Sequence, residues 1–400
     1  MAARLYFDQA ATSWPKPESV YQAVDHYQRR LGAAAGRGAY ADAVEVAQRV
    51  SRTRAAVARL LGAESPQRIV FAFNGTDALN IAIHGVLARG GHAIATVAEH
   101  NSVLRPLRTL ERAGRIAVTR IAVDRCGIVD VDDVQRALRP DTALIAVTHA
   151  SNVTGAIQPA AEIGQVARES DALFLLDAAQ TAGEVPIDVR GLNVDLLAAP
   201  GHKGLLGPLG TGVLYVRPGV EERVDSFRQG GTGTRSEEDV QPDDLPDKYE
   251  AGNLNVPGIV GLDAGIEWLL VQGIERLRSQ TVAHTELLLA RLTAVPGVTI
   301  YGPELAGERV GLLSFNVAGI EPQELAAILD SAYGIQVRAG LHCAPLMHAA
   351  LGTLKQGGTA RLSFGPFNTP DEIERAADAI GEIAGVAKAR ESEYTAGGEV

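Results

Sequence analysis

The sequence predicts an α/β protein: a large domain with a mostly parallel sheet flanked by helices, followed by a smaller α+β C-terminal domain. Three observations carry this. Six short β-branched or apolar runs recur at RIVFAF (68–73), HAIATV (92–97), AVTRIAV (117–123), TALIAVTHA (142–150), ALFLLDAA (172–179) and DLLAAP (195–200). Most are apolar throughout rather than alternating, which suits strands buried on both faces. Helical periodicity lies between several of them, over 76–87, 102–113, 131–138 and 159–168, and strand–helix–strand alternation predicts parallel pairing. After Pro296 the pattern changes, with strands at VTIYG, VGLLSFNVA, GIQVRAG and ARLSFG around helical stretches at 322–332 and 370–389.

In chain order, an N-terminal segment (1–20) leads into the large domain (21–258), which opens with helical patterns over 17–31 and 42–61 joined by LGAAAGRG. A long amphipathic pattern over 259–292 reads as a linking helix within 259–295, followed by the small domain (296–390) and a polar tail (391–400). The segment 229–253 reads as a loop, and its acids Glu237, Glu238, Asp239, Asp243, Asp244, Asp247 and Glu250 are expected to be solvated.

Composition narrows the function classes. With 400 residues, 46% hydrophobic and 21% charged, the chain has ample material for a core, so extensive disorder is excluded. Lys and Arg number 37 against 48 Asp and Glu, a net charge of −11, which argues against binding nucleic acid. No apolar run approaches the roughly 18 residues of a membrane span, so a soluble cytoplasmic protein is expected. Only Cys126 and Cys343 are present, so no disulfide framework organises the fold, and no cluster has metal-ligand spacing.

Four constellations carry chemistry. In PGHKGLLGPLGTG (200–212), Lys203 stands next to glycines that let backbone approach a ligand, and its amine could form a Schiff base if partly neutral. In LLDAAQ (175–180), Asp177 ends an apolar strand on the usual ligand side of an open α/β sheet. A carboxylate there needs a cationic partner, and an Asp paired with a Schiff-base Lys is the arrangement that serves pyridoxal phosphate. FAFNGTDALNIAI (71–83) is a strand, a turn and a helix whose first amides suit a phosphate, with Thr76 adding a hydroxyl. AEHN (98–101) follows another strand and offers His100 to a planar ring. Each has a plainer reading: surface lysine, ion-paired carboxylate, ordinary helix cap, structural histidine.

Taken jointly and in this order, the motifs NGTDALN, EHNS, THASNVTGAI, DAAQ, GHKG and RAGLHCAP resemble the fold-type I pyridoxal-phosphate enzymes of the aminotransferase class V group. Within that group they resemble the cysteine desulfurases, from YFDQAAT (6–12) to the closing helix near Ala389. The resemblance implies that Lys203 holds the cofactor covalently, Asp177 pairs with its pyridine nitrogen, His100 stacks on the ring and Gln180 reaches the phenolic oxygen. It also implies that Gly75, Thr76 and His202 hold the phosphate, with Asn253 in contact with the partner subunit's cofactor. Asn152 and Arg361 would bind the substrate carboxylate, and Cys343 would accept sulfur from L-cysteine as a persulfide. A homodimer and a sulfur-acceptor protein belong to the same expectation.

The chain departs from the family pattern where Pro200 replaces a Ser or Thr, Asn253 replaces a Thr, and Leu341-His342 replaces a pair of histidines. The loop character around Cys343 suggests a mobile thiol, with His342 helping to hold it as thiolate. Rival readings are a cysteine or cystine C–S lyase, a selenocysteine lyase and, from another class, a non-catalytic scaffold; retention of Lys203 and Asp177 speaks against the last.

Overall fold

A computed structural model describes residues 4–36 and 38–396 of the chain. Seven strands form the large sheet, in the order Ile69–Ala72, Gly212–Val216, Leu196–Pro200, Leu173–Asp177, Thr142–Thr148, Gly91–Thr96 and Ile116–Ile121. Six run in one direction, and Gly212–Val216 runs against both its neighbours. The reason for the unbroken apolar runs is visible in Leu173–Asp177. Phe174 and Leu176 enter the core on one face of the sheet, while Leu173 and Leu175 enter the core on the other. Burial on both faces leaves no position for a polar residue until the strand ends at Asp177.

All six expected runs become strands. The antiparallel strand Gly212–Val216 was not among them, because its GVLYV follows a glycine-rich stretch that reads as loop. Gly212 is needed there for space: a Cβ would come within 2.6 Å of the Asn74 backbone, where the next helix begins. The amphipathic pattern over 259–292 is two helices, Val256–Gln272 and Ile274–Thr293, broken at Gly273 with φ of 80°. A positive φ is open to glycine without steric cost, so the chain turns there while the apolar periodicity continues.

The small domain holds a four-stranded antiparallel sheet in the order Arg338–Gly340, Thr359–Ser363, Leu312–Val317 and Val298–Tyr301. Helices Ile274–Thr293, Pro322–Tyr333 and Pro370–Ala396 contribute apolar side chains to its core. The N-terminal strand Leu5–Tyr6 joins this domain, pairing in parallel with Ile335–Gln336, and Asp8 bridges to Ser363. No helix among the described residues is long and apolar enough to cross a membrane.

The 229–253 segment is irregular, as expected, but its acids are not all solvated. Glu250 is buried and takes the Arg54 guanidinium in a two-point ion pair, while also accepting from the Phe71 amide at 2.5 Å. Arg54 adds a bond to the Ile69 carbonyl at 2.6 Å, so the pair anchors the long loop to an edge strand of the large sheet. Removing one member leaves the other charged and without its counter-ion in a dry site. Arg54→Ala is therefore expected to cost about 3–5 kcal/mol. Urea unfolding followed by tryptophan fluorescence checks this, and a midpoint unchanged from wild type would show that the pair carries no stability.

Candidate active site

The parallel strands end side by side, with Thr148, Asp177 and Ala198 in register. Lys203 follows three residues after the strand that ends at Pro200. One cavity opens on this edge, and its walls include Gly75, Thr76, His100, Asn152, Asp177, Gln180, His202, Lys203 and Arg361. Nine of the eleven residues singled out from sequence thus meet in one place. Asn253 does not: it is exposed, on the 229–253 segment, away from the cavity of its own chain. Cys343 stands outside the cavity wall and is exposed.

Helix Gly75–Val86 points its N-terminus at the cavity. Asn74 caps it by accepting from the Asp77 amide at 2.9 Å, and the first-turn amides of Gly75 and Thr76 have no carbonyl within the helix to bond. Gly75 packs against Pro200, where a Cβ would lie 3.0 Å from the proline ring. Pro200 brings no hydroxyl to this turn, and the Thr76 hydroxyl lies 2.7 Å from that of Ser102. His202 adds a buried Nδ1 with no partner, and burial brings its imidazole down to about 4.

At the centre, burial lowers the Lys203 amine to about 8; Asp177 pulls it upward, and Arg361 and Arg338 push it further down. Burial raises the Asp177 carboxyl, against an opposing bond from the Ala179 amide at 3.0 Å and the attraction of Lys203. The two groups are coupled, each favouring the charged form of the other in a desolvated site. Gln180 is buried, and its amide donates to the Ala10 carbonyl at 3.2 Å. His100 is lowered to about 4, first by burial and then by the cations Lys203, Arg338, Arg105 and Arg361.

Arg361 comes from the small sheet. Its Nη1 donates to the Asn152 carbonyl at 3.0 Å and its Nη2 to Asp8 Oδ1 at 2.8 Å, while Nε is buried without a partner. Arg338 lies directly opposite Arg361 in the antiparallel register and also lines the cavity. Sequence reasoning passed over Arg338, although QVRAG and TARLS pair across the sheet and their register brings both arginines together. Like charges at facing positions repel, so the pair marks a place suited to an anion.

Cys343 and His342 occupy consecutive left-handed backbone positions, with φ of 59° and 47°. The loop is tied on two sides: the Cys343 carbonyl accepts from the Asn101 amide at 2.8 Å, and the Asn152 side chain donates to the His342 carbonyl at 2.5 Å. One expectation fails here, the cationic role of His342. Burial holds its imidazole down to about 2, and Nε2 faces the Thr359 carbonyl at 3.1 Å. The cation beside the thiol is Arg338, whose Nη2 is 3.9 Å from Sγ.

The site is a cavity at the C-terminal edge of a mixed sheet, to which the small antiparallel sheet contributes Arg338 and Arg361. The family model described as Aminotransferase class-V matches residues 5–376. A probable cysteine desulfurase of Methanothermobacter thermautotrophicus is 37% identical, over 96% of this chain and 95% of its own length. The apo structure of the cysteine desulfurase from Thermococcus onnurineus NA1 matches with a TM-score of 0.88 at 34% identity, covering 95% of this chain and 94% of that one. The Escherichia coli cysteine desulfurase CsdA matches at 0.84 and 30% identity, covering 95% and 94%. The chain belongs to the cysteine desulfurase family.

The electrostatic coupling at the centre has a measurable sign. Asp177 raises the Lys203 amine, so Asp177→Asn is expected to move it below about 8. The pH at which an amine-directed acylating reagent half-modifies Lys203, located by peptide mapping, then falls. A rise would mean that the two groups are not coupled in this way.

Proposed function

We propose that the protein is a pyridoxal-phosphate-dependent cysteine desulfurase, converting L-cysteine to L-alanine and leaving the sulfur on Cys343 as a persulfide. The meeting of Lys203, Asp177 and Arg361 in one cavity, beside an exposed cysteine, carries this reading. Features of the walls suit the cofactor: a helix start with free amides beside the Thr76 hydroxyl, an orphaned His202 Nδ1, a buried carboxylate at Asp177 and an amine depressed at Lys203. Gly75 and Thr76, through their backbone amides, and His202 would hold its phosphate, Asp177 its pyridine nitrogen, Gln180 its phenolic oxygen, and His100 would lie over the ring. When bound, pyridoxal phosphate supplies an electron sink for the charge left at the substrate's Cα.

The remaining work falls to the chain. Arg361 has used one N–H on Asn152 and one on Asp8, so its remaining donors, including the orphaned Nε, are free for a carboxylate. Asn152 faces the same anion and holds the guanidinium in place through its carbonyl. Lys203, once its amine is free, takes the Cα proton, and its value of about 8 keeps part of that amine neutral near neutral pH. The Cys343 thiolate then attacks the substrate sulfur: the carbon–sulfur bond breaks, a sulfur–sulfur bond forms, and Cβ gains a proton. L-cysteine and a thiol become L-alanine and a persulfide, with every atom accounted for. Arg338 Nη2 stands 3.9 Å from the attacking sulfur. The persulfide passes to an acceptor protein or a small thiol. The protein works as a cytoplasmic homodimer in which Asn253, on its exposed segment, completes the partner's phosphate site.

Product analysis with L-cysteine tests the assignment. Alanine and sulfide in equal amounts, in the presence of a reducing thiol, are expected; pyruvate and ammonia would instead make the protein a C–S lyase. Cys343→Ala should keep pyridoxal phosphate and bind L-cysteine but release almost no alanine, and wild-type turnover in that variant would make Cys343 structural. Arg361→Lys keeps the charge but loses the planar fork, and a rise in KM for L-cysteine of about tenfold or more is expected. Unchanged steady-state kinetics in that variant would remove Arg361 from the substrate site.

A further inference from the structure

Helix Asn101–Arg112 begins beside the cavity, and His100 is its N-cap. The ring's Nδ1 accepts from the Ser102 amide at 3.1 Å. An amide can only donate, so this nitrogen carries no proton. The Ser102 hydroxyl lies 2.8 Å from the same Nδ1 and must also be a donor there. With its one proton directed at the ring, Ser102 Oγ is the acceptor for the Thr76 hydroxyl at 2.7 Å. The chain from Thr76 through Ser102 to His100 therefore has one direction, anchored at each end by the start of a helix.

We propose that Ser102 is a positioning residue, which fixes His100 as the neutral tautomer with its proton on Nε2, so that the ring offers the cavity a hydrogen-bond donor and not a base. That the donor meets a substrate rests on the function proposed above; the tautomer itself does not. A neutral imidazole whose Nδ1 is bare carries its proton on the other nitrogen. Nε2 has no partner among the described residues, while the ring lines the cavity. The charged groups acting on it are Lys203, Arg338, Arg105 and Arg361, all positive, and with burial they oppose protonation. A donor in this place stabilises negative charge, as on a substrate thiolate, whereas a lone pair there would repel it.

The test uses full-length protein, with and without pyridoxal phosphate. In the apoprotein, 15N-imidazole spectra should show His100 neutral with Nε2 protonated from about pH 6 to 8. A Nδ1-protonated or charged ring in that range overturns the proposal. Ser102→Ala removes one of two donors to Nδ1 and so stabilises the neutral ring less. Its His100 should titrate at higher pH, and the acid limb of kcat should move up with it. At neutral pH kcat for L-cysteine should fall about fivefold, with KM changed less than about twofold. Ser102→Thr keeps the hydroxyl and should restore both the titration and kcat. An Ala variant whose His100 titration and kcat profile match wild type would remove Ser102 from the role. If the apoprotein has the expected tautomer but the holoprotein does not turn over L-cysteine, the proposed function fails and the tautomer stands.

Discussion

A guanidinium with 1% of its side-chain surface exposed sits where three parts of the chain meet. Arg361 belongs to the small sheet, its carboxylate partner Asp8 to the N-terminal segment, and its carbonyl partner Asn152 to a loop of the large domain. Withdrawing such a charge from water costs several kcal/mol unless hydrogen bonds and a counter-ion replace the lost solvation. That requirement accounts for much of the surrounding architecture. The strand Leu5–Tyr6 pairs with Ile335–Gln336, and the pairing delivers Asp8 to the guanidinium. The Asn152 loop is in turn fastened to the small domain. Ser314 donates to the Val153 carbonyl at 2.6 Å, and the buried Arg309 donates to the Thr154 carbonyl at 2.5 Å as well as to Tyr301 and Pro303.

The loop bearing Asn152 is thus part of the large domain by sequence and part of the small domain by hydrogen bonding. These bonds set the spacing between Arg361 and Asn152. The electrostatics follow the same economy of partners. The chain carries a net charge of −11, yet Lys203, Arg338 and Arg361 gather at one cavity with only Asp177 and Asp8 against them. Burial does most to depress Lys203 and His100, the neighbouring arginines add to it, and this local excess of positive charge, not the global balance, keeps the site receptive to anions.

Much of this was legible in the sequence, for a specific reason. Strands buried on both faces must be apolar over their whole length, so Asp177 at the end of LFLLD and Lys203 beyond LLAAP stand out against their surroundings. The antiparallel strand Gly212–Val216 escaped because glycines needed for its close approach to Asn74 look like loop residues. Arg338 escaped because its meaning depends on which strand lies opposite, and register is a property of the folded sheet. Glu250 was read with its acidic neighbours as solvated, since nothing local reveals that Arg54, 196 positions away, comes to meet it. His342 was misjudged for the same reason: proximity to Cys343 in sequence does not convey that burial keeps its ring uncharged.

Under the proposed reaction, the turn that carries Cys343 bears on the molecule that takes its sulfur. Its backbone is bonded on two sides, to Asn101 and to Asn152, through two left-handed residues. Rotation about the Cys343 side chain alone displaces the thiol by about 3 Å between staggered positions. An acceptor that carries its nucleophile on a projecting element would cover the remaining distance, meeting the exposed thiol beside Leu341 and Arg338.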